Sequence, residues 1–159
     1  ANSFRNIQIN TTHIIYFDFN DFKPFNDIYG FRQGDRAILI FSELLQKRYP
    51  KNSFIAHIGG DDFFVGLTDF TFEDVFELTL DIQNEFKYSA KNLYSNEDKE
   101  LGYIVSKDRF GTTRNFNLLS VSCAIVEINC KSNILNFDDT LNIMKKESKS
   151  SKEPVYKVL

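Results

Sequence analysis

Apolar residues recur along the chain in two patterns, one typical of buried strands and one typical of amphipathic helices. Residues 12–19, THIIYFDF, are apolar and β-branched, and they predict a buried strand that ends at Asp18. Residues 34–50 place apolar side chains at helical spacing, and Pro50 marks the end of the predicted helix. A buried strand therefore precedes a long helix, with a polar connection between them.

The rest of the chain continues this alternation without an internal repeat. The predicted elements are, in order, strands on either side of Gly59 and Gly60, a helix at 72–86, a loop at 94–100, strands at 102–108 and 117–128 separated by a turn at 109–115, a helix at 137–149 and a strand near 154–158. The order is roughly βααββαββαβ. It predicts one α+β domain over residues 1–159, with helices covering one face of a mostly antiparallel sheet.

The composition predicts a folded domain and excludes some functions. Of the 159 residues, 42% are hydrophobic and 15% aromatic, which is enough for a packed core. The net charge of −3 argues against nucleic-acid binding through neutralised backbone phosphates, so any phosphate ligand should be small. No apolar run approaches the roughly 20 residues that a membrane span needs, so we expect no membrane contact.

The two cysteines and the first residue bear on the location and extent of the protein. Cys123 and Cys130 form no CxxC or Cys/His cluster, so neither a zinc site nor a disulfide framework is predicted. A reducing cytoplasm is the simplest location for such a chain. The sequence begins with Ala1 instead of Met, and we therefore expect a piece of a longer protein.

Three acidic residues stand where predicted strands end or begin. Asp18 ends the first strand, while Asp61 and Asp62 open the strand after the glycine turn. If these strands are neighbours, their carboxylates converge at one edge of the sheet and need a cation between them. Hard oxygen ligands favour Mg²⁺ or Mn²⁺, and Mg²⁺ leaves positions for substrate phosphates. The alternative is that Asp61 and Asp62 only cap a tight hairpin.

The connection between the first strand and the long helix is unusually polar. Residues 16–35, YFDFNDFKPFNDIYGFRQGD, resemble the FDxDxFKxxNDxxGxxxGD signature of GGDEF domains, the diguanylate cyclases. GGDDF at 59–63 resembles the loop that names this family, at the expected distance downstream. Three segments are most similar to a branch of GGDEF domains often joined to EAL and CBS modules: FKPFNDIYGF, HIGGDDF and KDRFGTTRNFNLLSVS.

The resemblance implies a fold, a reaction and a set of partners. The fold would be a ferredoxin-like nucleotidyl-cyclase palm, with a central, mostly antiparallel sheet flanked by helices. The reaction would condense two GTP into cyclic di-GMP and pyrophosphate, with one GTP on each domain of a homodimer. Asp18, Asp61 and Asp62 would be the catalytic acids, and Asp18, the Phe19 carbonyl and Asp61 would hold Mg²⁺ or Mn²⁺. A fused EAL, CBS or sensory module would be the expected partner.

The same resemblance assigns the substrate contacts. The backbone amides of Asp21, Phe22 and Lys23 would surround the terminal phosphates at a helix start, where unpaired N–H groups favour anions. Asn26 and Asp35 would accept hydrogen bonds from the guanine N1–H and exocyclic amine. Taken alone, Asn26 and Asp35 would more often be helix N-caps than base contacts.

Several positions depart from the family pattern. Asp62 is one methylene shorter than the usual Glu. In the late AKxxGRN segment, whose lysine and arginine grip the γ-phosphate, Lys146 matches the lysine but Ser150 falls at the arginine. Lys149 could replace that arginine as a point charge, although the whole segment is also typical of a solvated helix end. Residues 50–53, PKNS, stand where the product-inhibition motif RxxD would lie, so feedback through that site is not expected.

These observations leave two functions open. The first is an active, metal-dependent diguanylate cyclase, which the intact Asp18, Asn26, Asp35 and Asp61 favour. The second is a GTP-binding domain that has lost turnover and regulates an attached module, which the changes at Asp62 and Ser150 favour.

Overall fold

A five-stranded sheet forms the centre of the computed structural model, which describes residues 11–159. The strands are β1 (Thr12–Asn20), β2 (Phe54–Gly59), β3 (Asp62–Thr68), β4 (Tyr103–Lys107), β5 (Thr113–Asn117), β6 (Ser120–Ile128) and β7 (Val155–Val158). The helices are α1 (Phe22–Tyr29), α2 (Phe31–Arg48), α3 (Phe72–Ala90), α4 (Asn96–Leu101) and α5 (Phe137–Lys149), with 3₁₀ turns at Lys91–Leu93 and Ile134–Asn136.

Strand β1 lies in the middle of the sheet, whose strand order is β2-β3-β1-β6-β7. It pairs antiparallel with β3 and β6, β2 pairs antiparallel with β3, and β7 pairs parallel with β6. Strands β4 and β5 form a separate antiparallel pair. The predicted α+β fold with a mostly antiparallel central sheet is confirmed.

Helices cover both faces of the sheet. On one face, α1, α2 and α3 pack over a core rich in phenylalanine, including Phe17, Phe41 and Phe86. On the other face, Leu141 and Met144 of α5 pack against β1 and β6. The prediction that helices cover only one face is therefore wrong. Strand β6 is buried over six consecutive residues, and a strand that is apolar on both sides needs a covering layer on each.

Two local predictions in the second half of the chain also need correction. The predicted loop at 94–100 contains helix α4, which the Ser95 side chain caps by accepting from the Asp98 amide. The predicted turn at 109–115 contributes strand β5, because the turn itself is closed earlier, by the Asp108 carboxylate accepting from the Phe110 and Thr112 amides. The first strand also runs past Asp18 to Asn20.

The described residues contain no helix with the length and apolar content that crossing a bilayer requires. Both cysteines are free thiols, with Cys123 buried in β6 and Cys130 exposed after it.

Candidate active site

The antiparallel pairing of β1 and β3 brings the three acids together. Asp18 lies directly opposite Asp62 in the register, and Asp61 occupies the turn just before β3. Each of the three residues offers a carboxylate oxygen, and these oxygens lie within 4.8 Å of one another. All three side chains are half-buried. We call Asp18, Asp61 and Asp62 the acid cluster.

The hairpin that presents the acid cluster is built from Gly59 and Gly60. Their φ angles of 109° and 51° lie in the left-handed region, which glycine adopts without strain. The ring of His57 stacks on Phe63 at 4.5 Å between centroids, and its Nε2 donates to the Gly60 carbonyl at 2.6 Å. His57 thus stabilises the turn. The Asp61 carboxylate makes none of these contacts and converges with the other two acids.

Tyr16 fixes the position of Asp62. The Tyr16 hydroxyl donates to Asp62 Oδ1 at 2.9 Å. Burial raises the pKa of this tyrosine, and the negative charge of Asp18 raises it further, so the phenol stays protonated and remains a donor. The Lys145 ammonium lies 4.3 Å from the centre of the Tyr16 ring on the helix side. The Asp62 carboxylate, one methylene shorter than the usual Glu, is therefore held in one orientation.

A cation from helix α5 already reaches the acid cluster. The Lys149 ammonium lies 2.6 Å from Asp18 Oδ2 and donates to the Phe19 carbonyl at 3.0 Å and to Asn20 Oδ1 at 3.1 Å. Burial raises the pKa of Asp18; Lys149 opposes this shift, and the nearby Asp61 charge adds to it.

In the sequence analysis, Lys146 is the residue of this helix that matches the family lysine. Lys146 is exposed on α5, and within residues 11–159 it makes no hydrogen bond or ion pair. The buried face of α5 carries Leu141, Met144 and Ser148, so Lys149 adjoins that face while Lys146 does not. Helical spacing from the apolar positions separates Lys149 from Lys146, but it does not show which part of the sheet the helix end reaches.

A turn with unpaired backbone amides lies beside the acid cluster. Asp21, the N-cap of α1, has φ 58° and makes no side-chain cap. The amides of Phe22 and Lys23 belong to the first helical turn, which has no intrahelical acceptors, and Pro24 has no N–H. Burial raises the pKa of Asp21, while Lys149 and Arg114 oppose the shift. The Lys23 ammonium points outward and pairs with Asp27 at 2.9 Å.

The predicted base-reading residues lie at the α1–α2 junction. Asn26 Oδ1 is buried without a hydrogen-bond partner in the described part of the chain. A Cβ at Gly34 would lie 1.9 Å from this oxygen, so only glycine leaves room for the amide. The exposed Asp35 directly follows Gly34 on α2. This arrangement presents an unsatisfied acceptor beside a solvent-accessible carboxylate.

Comparison with known proteins identifies the family. The sequence model of the family described as diguanylate cyclase, GGDEF domain, matches residues 2–108. The chain belongs to the GGDEF domain family. This GGDEF domain is 40% identical over 58 residues to the signaling protein YkoW of Bacillus subtilis, and 27% identical over 89 residues to the probable diguanylate cyclase DgcJ of Escherichia coli. The matches cover 36% and 56% of the chain but only 7% and 17% of those longer proteins.

Solved structures share the fold at low identity. The GGDEF domain of DgcB from Caulobacter crescentus, solved in complex with c-di-GMP, has a TM-score of 0.66 at 18% identity, covering 94% of this chain and 78% of that one. The active GGEEF domain of a diguanylate cyclase from Vibrio cholerae has a TM-score of 0.66 at 16% identity, with coverages of 92% and 83%.

Two further positions of this GGDEF domain bear on the departures noted in the sequence. Ser150 is the C-cap of α5, and its amide donates to the Glu147 carbonyl. Arg48 pairs with Glu85 at 2.5 Å and with Asp81 at 3.6 Å, both on α3. The arginine nearest to residues 50–53 is thus bound within the domain.

Proposed function

We propose that this GGDEF domain is a diguanylate cyclase, which condenses two GTP molecules into cyclic di-GMP with release of two pyrophosphates. The observation that carries the proposal is the convergence of the three carboxylates of the acid cluster within 4.8 Å, next to the open amides at the start of α1. Carboxylates beside unpaired N–H groups suit a cation on one side and a polyphosphate on the other.

The donor set of the acid cluster fits a hard divalent cation. It offers carboxylate oxygens and the Phe19 carbonyl, the oxygen ligands that Mg²⁺ and Mn²⁺ prefer. An ammonium already lies against Asp18 and Phe19, which supports the view that these atoms attract positive charge. Asp18, Phe19 and Asp61 would hold the metal. When bound, the metal would lower the pKa of the attacking hydroxyl and offset charge on the phosphoryl oxygens.

The chain's own groups would position the nucleotide. The Asp21, Phe22 and Lys23 amides would donate to the terminal phosphates, where the positive end of the α1 dipole also favours anions. The unpaired Oδ1 of Asn26 would accept from guanine, and Asp35 would take the neighbouring donor. Adenine lacks the N1–H and amino donors in this pattern, so the amide acceptor would stay unpaired against ATP.

The reaction would need two domains facing each other. Each would hold one GTP, so that the 3′-oxygen of one bonds to the α-phosphorus of the other while the bond to pyrophosphate breaks. Repeating the step in the opposite direction closes the ring. A homodimer in the cytoplasm, joined to EAL, CBS or sensory modules in the parent protein, is the setting that we propose.

The test is incubation with GTP and Mg²⁺ or Mn²⁺, followed by chromatography of the products. We expect cyclic di-GMP and pyrophosphate from the wild type and neither from Asp61→Ala. ATP in place of GTP should give no cyclic dinucleotide. A wild type that neither binds GTP with metal nor turns it over would contradict the proposal.

A second function is favoured by two contacts in the site. Asp62 already accepts a hydrogen bond from Tyr16, and Lys149 already bonds the Asp18 and Phe19 oxygens. With these groups engaged, the domain would bind GTP without turnover and regulate an attached module. Metal-dependent GTP binding in calorimetry without product in the chromatogram would select this function over catalysis.

A further inference from the structure

The Lys149 ammonium is fully satisfied by oxygens at the end of β1. A lysine has three N–H donors, and Lys149 places them on Asp18 Oδ2, the Phe19 carbonyl and Asn20 Oδ1 at 2.6, 3.0 and 3.1 Å. Asn20 is itself held, since its Oδ1 accepts from the Ser122 hydroxyl at 2.7 Å and its amide donates to the Ser120 hydroxyl at 3.0 Å. The ammonium therefore binds to three oxygens, one of which is itself fixed by hydrogen bonds to β6.

The neighbouring lysines of α5 do not share this position. The Lys145 ammonium lies over the Tyr16 ring, and Lys146 is exposed. Lys149 is the last residue of α5, where the helix dipole also favours a positive charge. The Ser148 hydroxyl bonds the Lys145 carbonyl on the buried face, which helps to fix the last turn of the helix.

Two of the three oxygens that bond to the Lys149 ammonium are the ones that our proposed function assigns to the metal. The Asp18 carboxylate and the Phe19 carbonyl are already bonded to the ammonium, and Mg²⁺ binds its oxygens at roughly 2.1 Å. A divalent ion on the same two oxygens would lie within a few ångströms of the ammonium. Like charges at that separation repel strongly in a half-buried site.

We propose that Lys149 is an internal cation that competes with the divalent metal for the end of β1. In the metal-free domain it neutralises Asp18 and stabilises the junction of α5 with β1. Metal loading requires the ammonium to leave its three oxygens, so the position of the α5 end is coupled to metal occupancy. This inference rests on the proposed function, because it concerns the same metal site.

The coupling predicts a change in two measurable quantities, the metal affinity and the stability of the metal-free domain. Removing the ammonium should raise the affinity for metal, because the oxygens are then free. It should also destabilise the metal-free domain, because Asp18 then lacks its counter-charge beside Asp61. Lys149→Met keeps the length of the side chain and removes the charge. Lys152→Met, at an exposed position three residues further on, removes one positive charge from the same end of the chain and serves as the matched control.

The experiment titrates Mn²⁺ into the full 159-residue chain without nucleotide, by calorimetry and by electron paramagnetic resonance of free Mn²⁺. We expect Lys149→Met to bind Mn²⁺ roughly tenfold more tightly than the wild type, within the usual range for coupled sites, and to unfold at a lower temperature when metal-free. Lys152→Met should match the wild type in both. Tighter binding only in Lys149→Met supports competition, even if the wild type binds too weakly to measure.

Equal or weaker Mn²⁺ binding by Lys149→Met would overturn the inference while leaving the cyclase proposal standing. Asp61→Ala separates the two, because Mn²⁺ binding that survives its loss would place the metal elsewhere and contradict the proposed function. If Lys149→Met fails to fold, nitrogen-15 resonance of the wild-type Lys149 ammonium gives the answer. Mg²⁺ should abolish its hydrogen-bonded signal, and a signal unchanged at saturating Mg²⁺ would overturn the inference.

Discussion

Strand β1 carries a polar cluster at each end, and the two clusters are balanced differently. Near its start, the single carboxylate of Glu127 accepts from His13 at 3.1 Å and from the Tyr156 hydroxyl at 2.6 Å. Near its end, three carboxylates converge, and the Lys149 ammonium forms an ion pair with one of them, Asp18. One acid with two donors is satisfied within the protein, whereas three acids with one ammonium retain an excess of negative charge.

The two clusters differ in whether their acid is satisfied within the fold. Burial lowers the pKa of His13 against the opposing effect of Glu127, so the first cluster is a neutral histidine bonded to an acid inside the fold. The second cluster leaves its carboxylates half-buried and close together, which costs stability unless a further cation binds beside the Lys149 ammonium. We therefore expect loss of the acid in the first cluster to affect folding, and loss of Asp61 in the second to affect ligand binding.

The largest expected effect is that of Asp61→Ala. Removing this carboxylate should abolish metal-dependent GTP binding and lower any turnover by roughly 100-fold or more, because a bound metal contributes several kcal/mol of charge stabilisation. The melting temperature should stay near that of the wild type. Calorimetry, product chromatography and thermal unfolding measure the three quantities.

The matched change at the first cluster is Glu127→Ala, on β6 opposite His13. It should lower the free energy of unfolding by about 1–3 kcal/mol, since His13 and Tyr156 lose their acceptor, and leave GTP affinity unchanged. If Asp61→Ala unfolds the domain instead, the acid serves the hairpin and the contrast between the two clusters is lost.

A smaller effect is expected for Gly34→Ala, which tests how the base is read. The new Cβ would lie 1.9 Å from Asn26 Oδ1 and displace the amide, so GTP affinity should fall by about tenfold and the preference over ATP should shrink. Gly66→Ala is the control, because its Cβ would meet its nearest neighbour at an ordinary 3.5 Å. Calorimetry with GTP and ATP measures both, and an unchanged preference in Gly34→Ala would remove Asn26 from base recognition.

The smallest effect concerns the pH dependence of folding at the first cluster. Because the pKa of His13 is lowered in the folded state, the unfolded chain binds the proton more readily, and stability is lost as pH falls below about 6.5. One proton limits the slope to roughly 1.4 kcal/mol per pH unit. Urea unfolding between pH 5 and 7 should give a steeper dependence for the wild type than for His13→Gln, and identical slopes would refute the assignment.

The sequence predicted the convergence of the three acids better than it predicted the second half of the fold. Asp18 lies near the end of β1 and Asp62 at the start of β3, both beside strongly apolar runs, so the pairing of these strands brings them together, with Asp61 in the adjoining turn. Helix α4 has no buried residue, and strand β5 has one, at Phe116. Elements without a buried face carry no hydrophobic period, which is why a loop and a turn were predicted there.

The position of Lys149 shows a second kind of limit. The residue is polar, lies at a helix end and resembles a solvated tail in the sequence. Its contact with Asp18 arises because α5 packs on the face of the sheet opposite to the other helices, a placement that the sequence analysis did not predict. Long-range contacts of this kind depend on the packing of whole elements and leave little trace in local patterns.

The central claim is that the acid cluster binds a divalent cation together with GTP, and paramagnetic broadening by Mn²⁺ tests it most directly. Substoichiometric Mn²⁺ added to the ¹⁵N-labelled domain with GTP should broaden the amide signals of residues 18–22 and 59–62 first. The signals of His13 and Glu127, at the other end of β1, should persist, since broadening falls steeply with distance. Broadening that begins at His13 and Glu127, or that is the same in Asp61→Ala, would contradict the account.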